Sequence, residues 1–330
     1  MAAKGVIELP QLGIRAGYEL SNGGYDSSKP TCVLINSMCT TVSLYREQLS
    51  DKRLTSAVNL LAIEPLGHGA TSCVAEQFNY WDTASMALQV LDALGIQKCF
   101  ALGTSQGGWI VTRMALLEPT RIQGILILGS SMDAETAQSR EEGCWDPAPF
   151  VRPFIEDRWS SRDGATTPSF VVDDEWIGSI AHLGFGKAAT PENTEFWTQT
   201  LREVYKGDEG RRKLKMATIA LVERDGLVFR LPYVTCPVHW LHVSVGFLSS
   251  SCVATGRFYQ SFCADMCNPP EKGTDDPVYS LEIPKRQIKM FTGSKDAKLD
   301  MLDGGAHFLN ATHPKEMTDA ILQMAAKYGQ

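Results

Sequence analysis

Residues 98–117 read Lys98-Cys-Phe-Ala-Leu-Gly-Thr-Ser105-Gln-Gly-Gly-Trp-Ile-Val-Thr-Arg-Met-Ala-Leu-Leu117. The apolar run 98–102 predicts a strand and 106–117 a helix. Between them Gly103-Thr-Ser105-Gln-Gly107 has the form G-x-S-x-G. Glycines two before and two after the serine allow a strained turn to pass close to its neighbours. Such a turn lifts the Ser105 hydroxyl clear of the sheet edge. It also aims the N–H of Gln106 at the place where an oxyanion would form. The string alone is common and could be a plain Gly-rich turn; the flanking strand and helix make Ser105 a candidate nucleophile.

The same alternation extends on both sides. Residues 31–36 (Thr-Cys-Val-Leu-Ile-Asn) and 58–64 (Val-Asn-Leu-Leu-Ala-Ile-Glu) read as short buried strands that end in polar turns. Residues 80–94 place Trp81, Ala84, Leu88, Leu91 and Leu94 at helical spacing, and 122–129 is another apolar strand. Unbroken apolar strands alternating with helices predict an α/β fold, a mostly parallel sheet covered on both faces. Ligands then bind at the carboxyl ends of the strands, where the polar turns lie. From about 131 to 231 the alternation stops and aromatics become frequent, among them Trp145, Phe150, Phe154, Trp159, Trp176 and Trp197. This stretch predicts a helical cap, with helices near 193–206 and 209–222. Most of its aromatics are expected in the cap's own core; Trp145 and Trp176 are the candidates for a substrate pocket. The sheet resumes at Thr235–His242, a last strand covers 298–302, and a closing helix runs from Pro314 to Tyr328. The expected division is a core of residues 1–130 and 232–330 with a cap over 131–231.

Bulk properties narrow the function classes. The net charge of −7 with no basic block argues against nucleic acid as a partner. No apolar run approaches the ~20 residues of a membrane span, and residues 1–10 lack an apolar signal core. A cytoplasmic enzyme acting on a small molecule is the expectation. Nine scattered cysteines, several in apolar runs (Cys32, Cys99, Cys236), read as buried free thiols. Cys263 and Cys267 lack partners at zinc spacing, so neither metal nor cofactor is expected. Oligomeric state leaves no trace in the sequence.

A serine hydroxyl needs a base, and the base an orienting carboxylate. Of the six histidines, His307 in Gly304-Gly-Ala-His-Phe-Leu309 is the candidate base, because it follows a strand near the C-terminal end of the chain. His68, in Gly67-His-Gly69, reads as a structural loop residue. At this point the chain resembles the α/β-hydrolase superfamily over nearly its whole length. Besides the serine turn, Glu64-Pro-Leu-Gly-His-Gly-Ala-Thr-Ser72 is similar to that family's D-x-P-G-H-G-x-S loop, with Glu for Asp. Thr31-Cys-Val-Leu-Ile-Asn-Ser-Met38 is similar to its strand and oxyanion loop, with Asn36-Ser37 for the usual His-Gly. The resemblance implies an α/β-hydrolase fold, the order serine, acid, histidine, and a second oxyanion N–H from Met38. A fainter likeness is to hydrolases of fungal secondary-metabolite clusters.

The resemblance places the acid after the strand ending at His242, in a Gly-x-x-Asp turn. The first such turn is Gly273-Thr-Asp-Asp276. It makes Asp276 the acid and Asp275 the runner-up, although an Asp before Pro277 is also a common turn opener. If residues 243–272 are skipped, strand and acid loop run together as Val-His-Trp-Leu-His-Gly-Thr-Asp-Asp-Pro. Segment 243–272 has low charge, many Ser and Cys, and no period. It reads as a surface insertion or as a translated retained intron. Structureless loops of this length are uncommon in compact domains. Val243-Ser244 can be encoded with a splice-donor consensus, and Lys272 with an acceptor AG. The expected chemistry is acyl transfer to water through Ser105, His307 and Asp276, on an ester, thioester or lactone of a small apolar substrate. Carbon–carbon cleavage, lyase or cyclase chemistry on the same triad is the alternative. So is an inactive or ligand-binding relative, should segment 243–272 displace Asp276.

Overall fold

Four strands in the middle of the sheet are apolar on both faces: β3 (Thr31–Ile35), β4 (Asn59–Ile63), β5 (Cys99–Thr104) and β6 (Ile122–Leu128). In the computed structural model, which describes residues 3–134, 136–160, 165–244 and 276–329, they form the centre of an eight-stranded sheet. It is completed by β1 (Ala3–Leu9), β2 (Ile14–Leu20), β7 (Val238–Ser244) and β8 (Ala297–Asp303), in the order β1-β2-β4-β3-β5-β6-β7-β8. Strands β4, β3, β5, β6, β7 and β8 pair in parallel, while β1 and β2 form an antiparallel hairpin that joins the sheet through β4.

Successive side chains of a strand point to opposite faces, and here each face has its own core. Val33, Ile35, Leu61, Ile63, Ala101, Ile125 and Ile127 pack on one side against helices α1 (Tyr80–Ala93) and α2 (Gln106–Leu117). Their neighbours Cys32, Leu34, Leu60, Ala62, Phe100, Leu102 and Leu126 pack on the other. There they meet Tyr45, Leu54 and the Met317, Ile321 and Met324 stripe of the closing helix. This two-sided burial is why these strands lack polar alternation. Helix α1 starts on a capping box: Asn79 Oδ1 accepts from the N–H groups of Trp81 and Asp82, and Asp82 accepts from the Asn79 N–H at 2.9 Å.

After Leu128 the chain leaves the sheet and returns at Val238. The described elements between are helical, chiefly α3 (Asp174–Phe185), α4 (Pro191–Val204) and α5 (Gly207–Val222), and the closing helix is α6 (Pro314–Tyr328). Phe154, Trp159, Trp176, Leu201, Tyr205 and Leu214 form a separate core there. Trp176 is fully buried, stacked on Phe150 with ring centroids 5.7 Å apart and edge-on to Trp159 at 4.9 Å. The same cluster takes in Met38 and Cys39, so Trp176 packs both on the cap's aromatics and against the loop that follows β3. All six described cysteines are buried free thiols. The segment 243–272 and the runner-up acid Asp275 fall almost wholly outside the described residues; only Val243 and Ser244 are described, and they extend β7 beside Leu302 and Asp303.

Candidate active site

Ser105 joins β5 to α2 with φ 54 and ψ −115, a backbone region that costs a non-glycine residue about 1–3 kcal/mol. The surroundings hold it there. The Ser105 N–H donates to the Leu128 carbonyl at 2.8 Å, and Ser130 Oγ donates to the Ser105 carbonyl at 2.9 Å. A Cβ on Gly103 would collide with the backbone of Gly107, and one on Gly107 with the Ile35 carbonyl oxygen. The two glycines of the pattern are therefore required by close backbone approach. The turn leaves Gln106 and Gly107 in the first turn of α2, where backbone N–H groups lack intrahelical partners.

The loop leaving β3 lies against this turn, with the Asn36 carbonyl oxygen 3.4 Å from where a Gly107 Cβ would sit. Asn36 braces the loop from within. Its Nδ2 donates to the carbonyls of Ser37 and Thr40, at 3.1 and 2.9 Å. Met38 sits in this loop, buried, beside Cys39, which is held at φ 54.

His307 follows β8 and packs on the end of β6. A Cβ on Gly129 would be 2.7 Å from the His307 carbonyl oxygen and 3.2 Å from its Nδ1. Since Ser105 bonds to Leu128 and Ser130, the strand end 128–130 carries both residues. His307 Nδ1 is 3.0 Å from Asp276 Oδ2, and both side chains are buried, 4% and 0% exposed. Asp276 Oδ1 accepts from the N–H groups of Val278 and Tyr279 at 2.8 and 3.2 Å. Burial alone would raise the Asp276 pKa. The charge and hydrogen bond of His307, the nearby His242 and the Val278 N–H outweigh it and hold the carboxyl below its ordinary value. The acid loop is anchored on the base of the cap, where the Trp145 N–H donates to the Val278 carbonyl at 2.8 Å and the Ser280 N–H to Gly143 at 3.0 Å. Trp145 is thus a half-buried neighbour of the acid loop.

Ser105, Gln106, His307 and Asp276 are brought to one end of the sheet, with Met38 in the adjoining loop. Among the described residues the Ser105 hydroxyl makes no hydrogen bond; catalytic hydrogen bonds of this kind commonly tighten only in the substrate complex. No group of three or more His, Cys, Asp or Glu side chains among the described residues is arranged to hold a metal ion. Nor is any helix among them long and apolar enough to cross a membrane.

Two supporting groups lay beyond sequence reasoning. Beneath the serine turn, the Tyr45 hydroxyl donates to the Ile35 carbonyl at 2.7 Å and lies 2.9 Å from Thr104 Oγ1. Thr104 bonds Asn310 Oδ1 at 3.1 Å, and Asn310 Nδ2 donates to the Leu44 carbonyl at 2.7 Å. This buried chain ties the residue before Ser105 to the loop that carries His307. The second group is at Gln106, whose side chain meets the Tyr80 hydroxyl at 3.3 Å and His68 Nε2 at 2.9 Å. The Gly-His-Gly setting of His68 was the one visible signal, read as structural. Glu64, in place of the usual Asp, is buried and accepts from the N–H groups of Val42 and Ala70 at 3.3 and 2.6 Å. Burial pushes its pKa up.

Comparison with known proteins agrees with this architecture. Residues 30–152 match the family described as alpha/beta hydrolase fold. A 3-oxoadipate enol-lactonase 1 from Acinetobacter baylyi is 21% identical over 264 residues, covering 80% of this chain and 88% of that protein. The enol-lactonase from Burkholderia xenovorans LB400 superposes with a TM-score of 0.68 at 14% identity, covering 98% of this chain and all of that one. The bromoperoxidase from Bacillus anthracis does so at 0.70 with 18% identity, covering 98% and 100%. At these identities the likeness to the solved structures speaks to the fold, and sheet order, serine turn and comparisons agree: this chain has the α/β-hydrolase fold.

Proposed function

We propose that the protein is a serine hydrolase that cleaves an ester, thioester or lactone by acyl transfer through Ser105. The observation that carries this reading is the buried Asp276–His307 pair, 3.0 Å apart, on the same strand end as a serine held in a strained turn. Asp276 engages Nδ1, so Nε2 on the far side of the ring is the atom available to take the Ser105 proton. Oγ attacks the carbonyl carbon, and the oxyanion is met by the Gln106 N–H, with Met38 as the proposed second donor. Each such donor contributes roughly 3–4 kcal/mol. His307 returns the proton to the leaving oxygen or sulfur. It then deprotonates a water that attacks the acyl-enzyme and releases the acid and Ser105.

The enol-lactonase relatives support a lactone or related acyl carbonyl as the substrate class. An apolar acyl group suits the Met38 loop, which packs in one hydrophobic cluster with the cap residues Phe154, Trp159 and Trp176. The further expectation of a role in secondary metabolism rests on sequence resemblance alone. Because one fold hosts many reactions, the test is turnover of short-chain esters and lactones in 18O-labelled water. Label in the acid product, lost in Ser105→Ala, is the expected result; an unlabelled product refutes hydrolysis.

A further inference from the structure

The loop running from Glu64 to Ala75 touches both the cap and the serine turn. On its outer side it presents backbone carbonyls to the cap. The Tyr205 hydroxyl donates to Gly67 at 3.2 Å, Lys213 Nζ to Gly69 at 2.7 Å, and Arg212 to Ala75 at 2.9 Å. Gly67, at φ +76, lies flat on α5: a Cβ there would be 3.0 Å from the Lys213 carbonyl oxygen and 3.1 Å from Ala217 Cβ.

Between these contacts His68 turns inward and is buried. Its Nδ1 lies 2.9 Å from the Leu66 carbonyl, which can only accept, so Nδ1 carries the proton. Nε2 is left as an acceptor, and Gln106 Nε2 donates to it at 2.9 Å. The other end of the Gln106 amide, Oε1, accepts from the Tyr80 hydroxyl at 3.3 Å. Both ends of this side chain are therefore held, Oε1 by α1 and Nε2 by the loop on which the cap is seated, with the Asn36 carbonyl a longer contact of Nε2 at 3.5 Å.

We propose that His68 is a positioning residue that couples the seating of the cap to the placement of Gln106, the residue whose N–H meets the oxyanion. The inference rests on the acyl-transfer reading of Ser105. When α5 and the adjoining Tyr205 lift from the loop, the carbonyls of Gly67 and Gly69 lose their donors, His68 loses its fixed backbone, and Gln106 loses one of the three hydrogen bonds that hold its amide. The oxyanion site is complete only with the cap seated, so the most effective turnover is confined to a covered substrate.

The test is the rate of phosphonylation of Ser105 by a fluorophosphonate in the full chain, resolved into a maximal rate and a half-saturating concentration. Two substitutions separate positioning from structure. His68→Asn keeps a donor for the Leu66 carbonyl but is too short to reach Gln106. His68→Gln places an acceptor near the position of Nε2. His68→Asn is expected to lower the maximal rate roughly ten- to hundredfold with little change in half-saturation, while His68→Gln recovers most of it. Lys213→Met is expected to slow labelling in the wild-type background and to add less than about twofold in His68→Asn. Equal maximal rates for wild type and His68→Asn overturn the proposal. So does a better rate for His68→Asn than for His68→Gln, or a full multiplicative effect of Lys213→Met in both backgrounds. Absence of labelling in the wild type would be a different result: the acyl-transfer reading itself would fall, and this inference with it.

Discussion

Replacing Asp276 with Asn isolates the charge of the acid from its shape. Asn keeps an oxygen for the N–H groups of Val278 and Tyr279, so the acid loop retains both of its backbone bonds. What it loses is the negative charge facing His307. In the proposed reaction His307 becomes an imidazolium in the transition state. At an effective dielectric constant of ~20, two unit charges at the observed 3.0 Å attract by about 5–6 kcal/mol. At about 1.4 kcal/mol per factor of ten, that corresponds to a rate loss of roughly 10⁴-fold. The amide also turns an N–H group toward Nδ1–H, which favours the wrong imidazole tautomer. The assay is single-turnover acylation by an activated ester, with the thermal midpoint measured on the same preparations. A loss of 10³-fold or more with an unchanged midpoint is expected. A rate within tenfold of wild type would show that Asp276 does not stabilise His307, and the proposed triad would lose its acid.

Three further outcomes follow from the geometry. Gly107→Ala drives a Cβ into the Ile35 carbonyl and is expected to cost about 3 kcal/mol or more, whereas Gly24→Ala, with nothing within 4 Å and extended φ, is expected to be neutral; equal thermal midpoints would refute the close approach at the serine turn. Burial, aided by the charge of Lys213, pushes the His68 pKa from the ordinary 6.5 down to about 4. The unfolded chain therefore binds a proton that the folded one refuses, and stability falls as pH drops from 6.5 to 4, by about 3 kcal/mol for this group alone; urea midpoints of wild type and His68→Gln between pH 7 and 4 should diverge in that window, and parallel curves would refute it. Sequencing the mature transcript tests the proposal that 243–272 is a retained intron: a spliced message lacking those codons is expected, and one that still encodes Val243–Lys272 overturns it.

Much of the central sheet was legible because its strands are buried on both faces and read as solid apolar runs between polar turns. Strand β5, the serine turn and α2 stand in sequence as they stand in the fold. The hairpin β1–β2 was not visible. It lies at the sheet edge, where β1 is only half-buried, and Leu12 and Gly13 at its turn carry positive φ that no apolar run announces. The site divides in the same way. Ser105 and His307 are marked by local pattern, because a strained turn and a strand-end loop leave their traces within a few residues. Asp276 was identifiable only through resemblance, and its pairing with His307 spans 31 residues. Tyr45, Asn310, Tyr80 and His68 support the site through hydrogen bonds between distant segments. Thr104 and Asn310 are 206 positions apart, and such partners have no periodicity to betray them. Trp176 belongs to an aromatic-rich stretch that composition alone marks, and its partners Phe150, Trp159 and Met38 come from separate segments that no local pattern links.

The central claim is that Ser105 is an activated nucleophile in the chain as it stands. Peptide mapping after fluorophosphonate treatment of the full-length protein tests it most directly. The prediction is a single adduct on the peptide containing Ser105, absent in Ser105→Ala and strongly reduced in His307→Ala. An unmodified Ser105 peptide, or an adduct that survives Ser105→Ala, would contradict it.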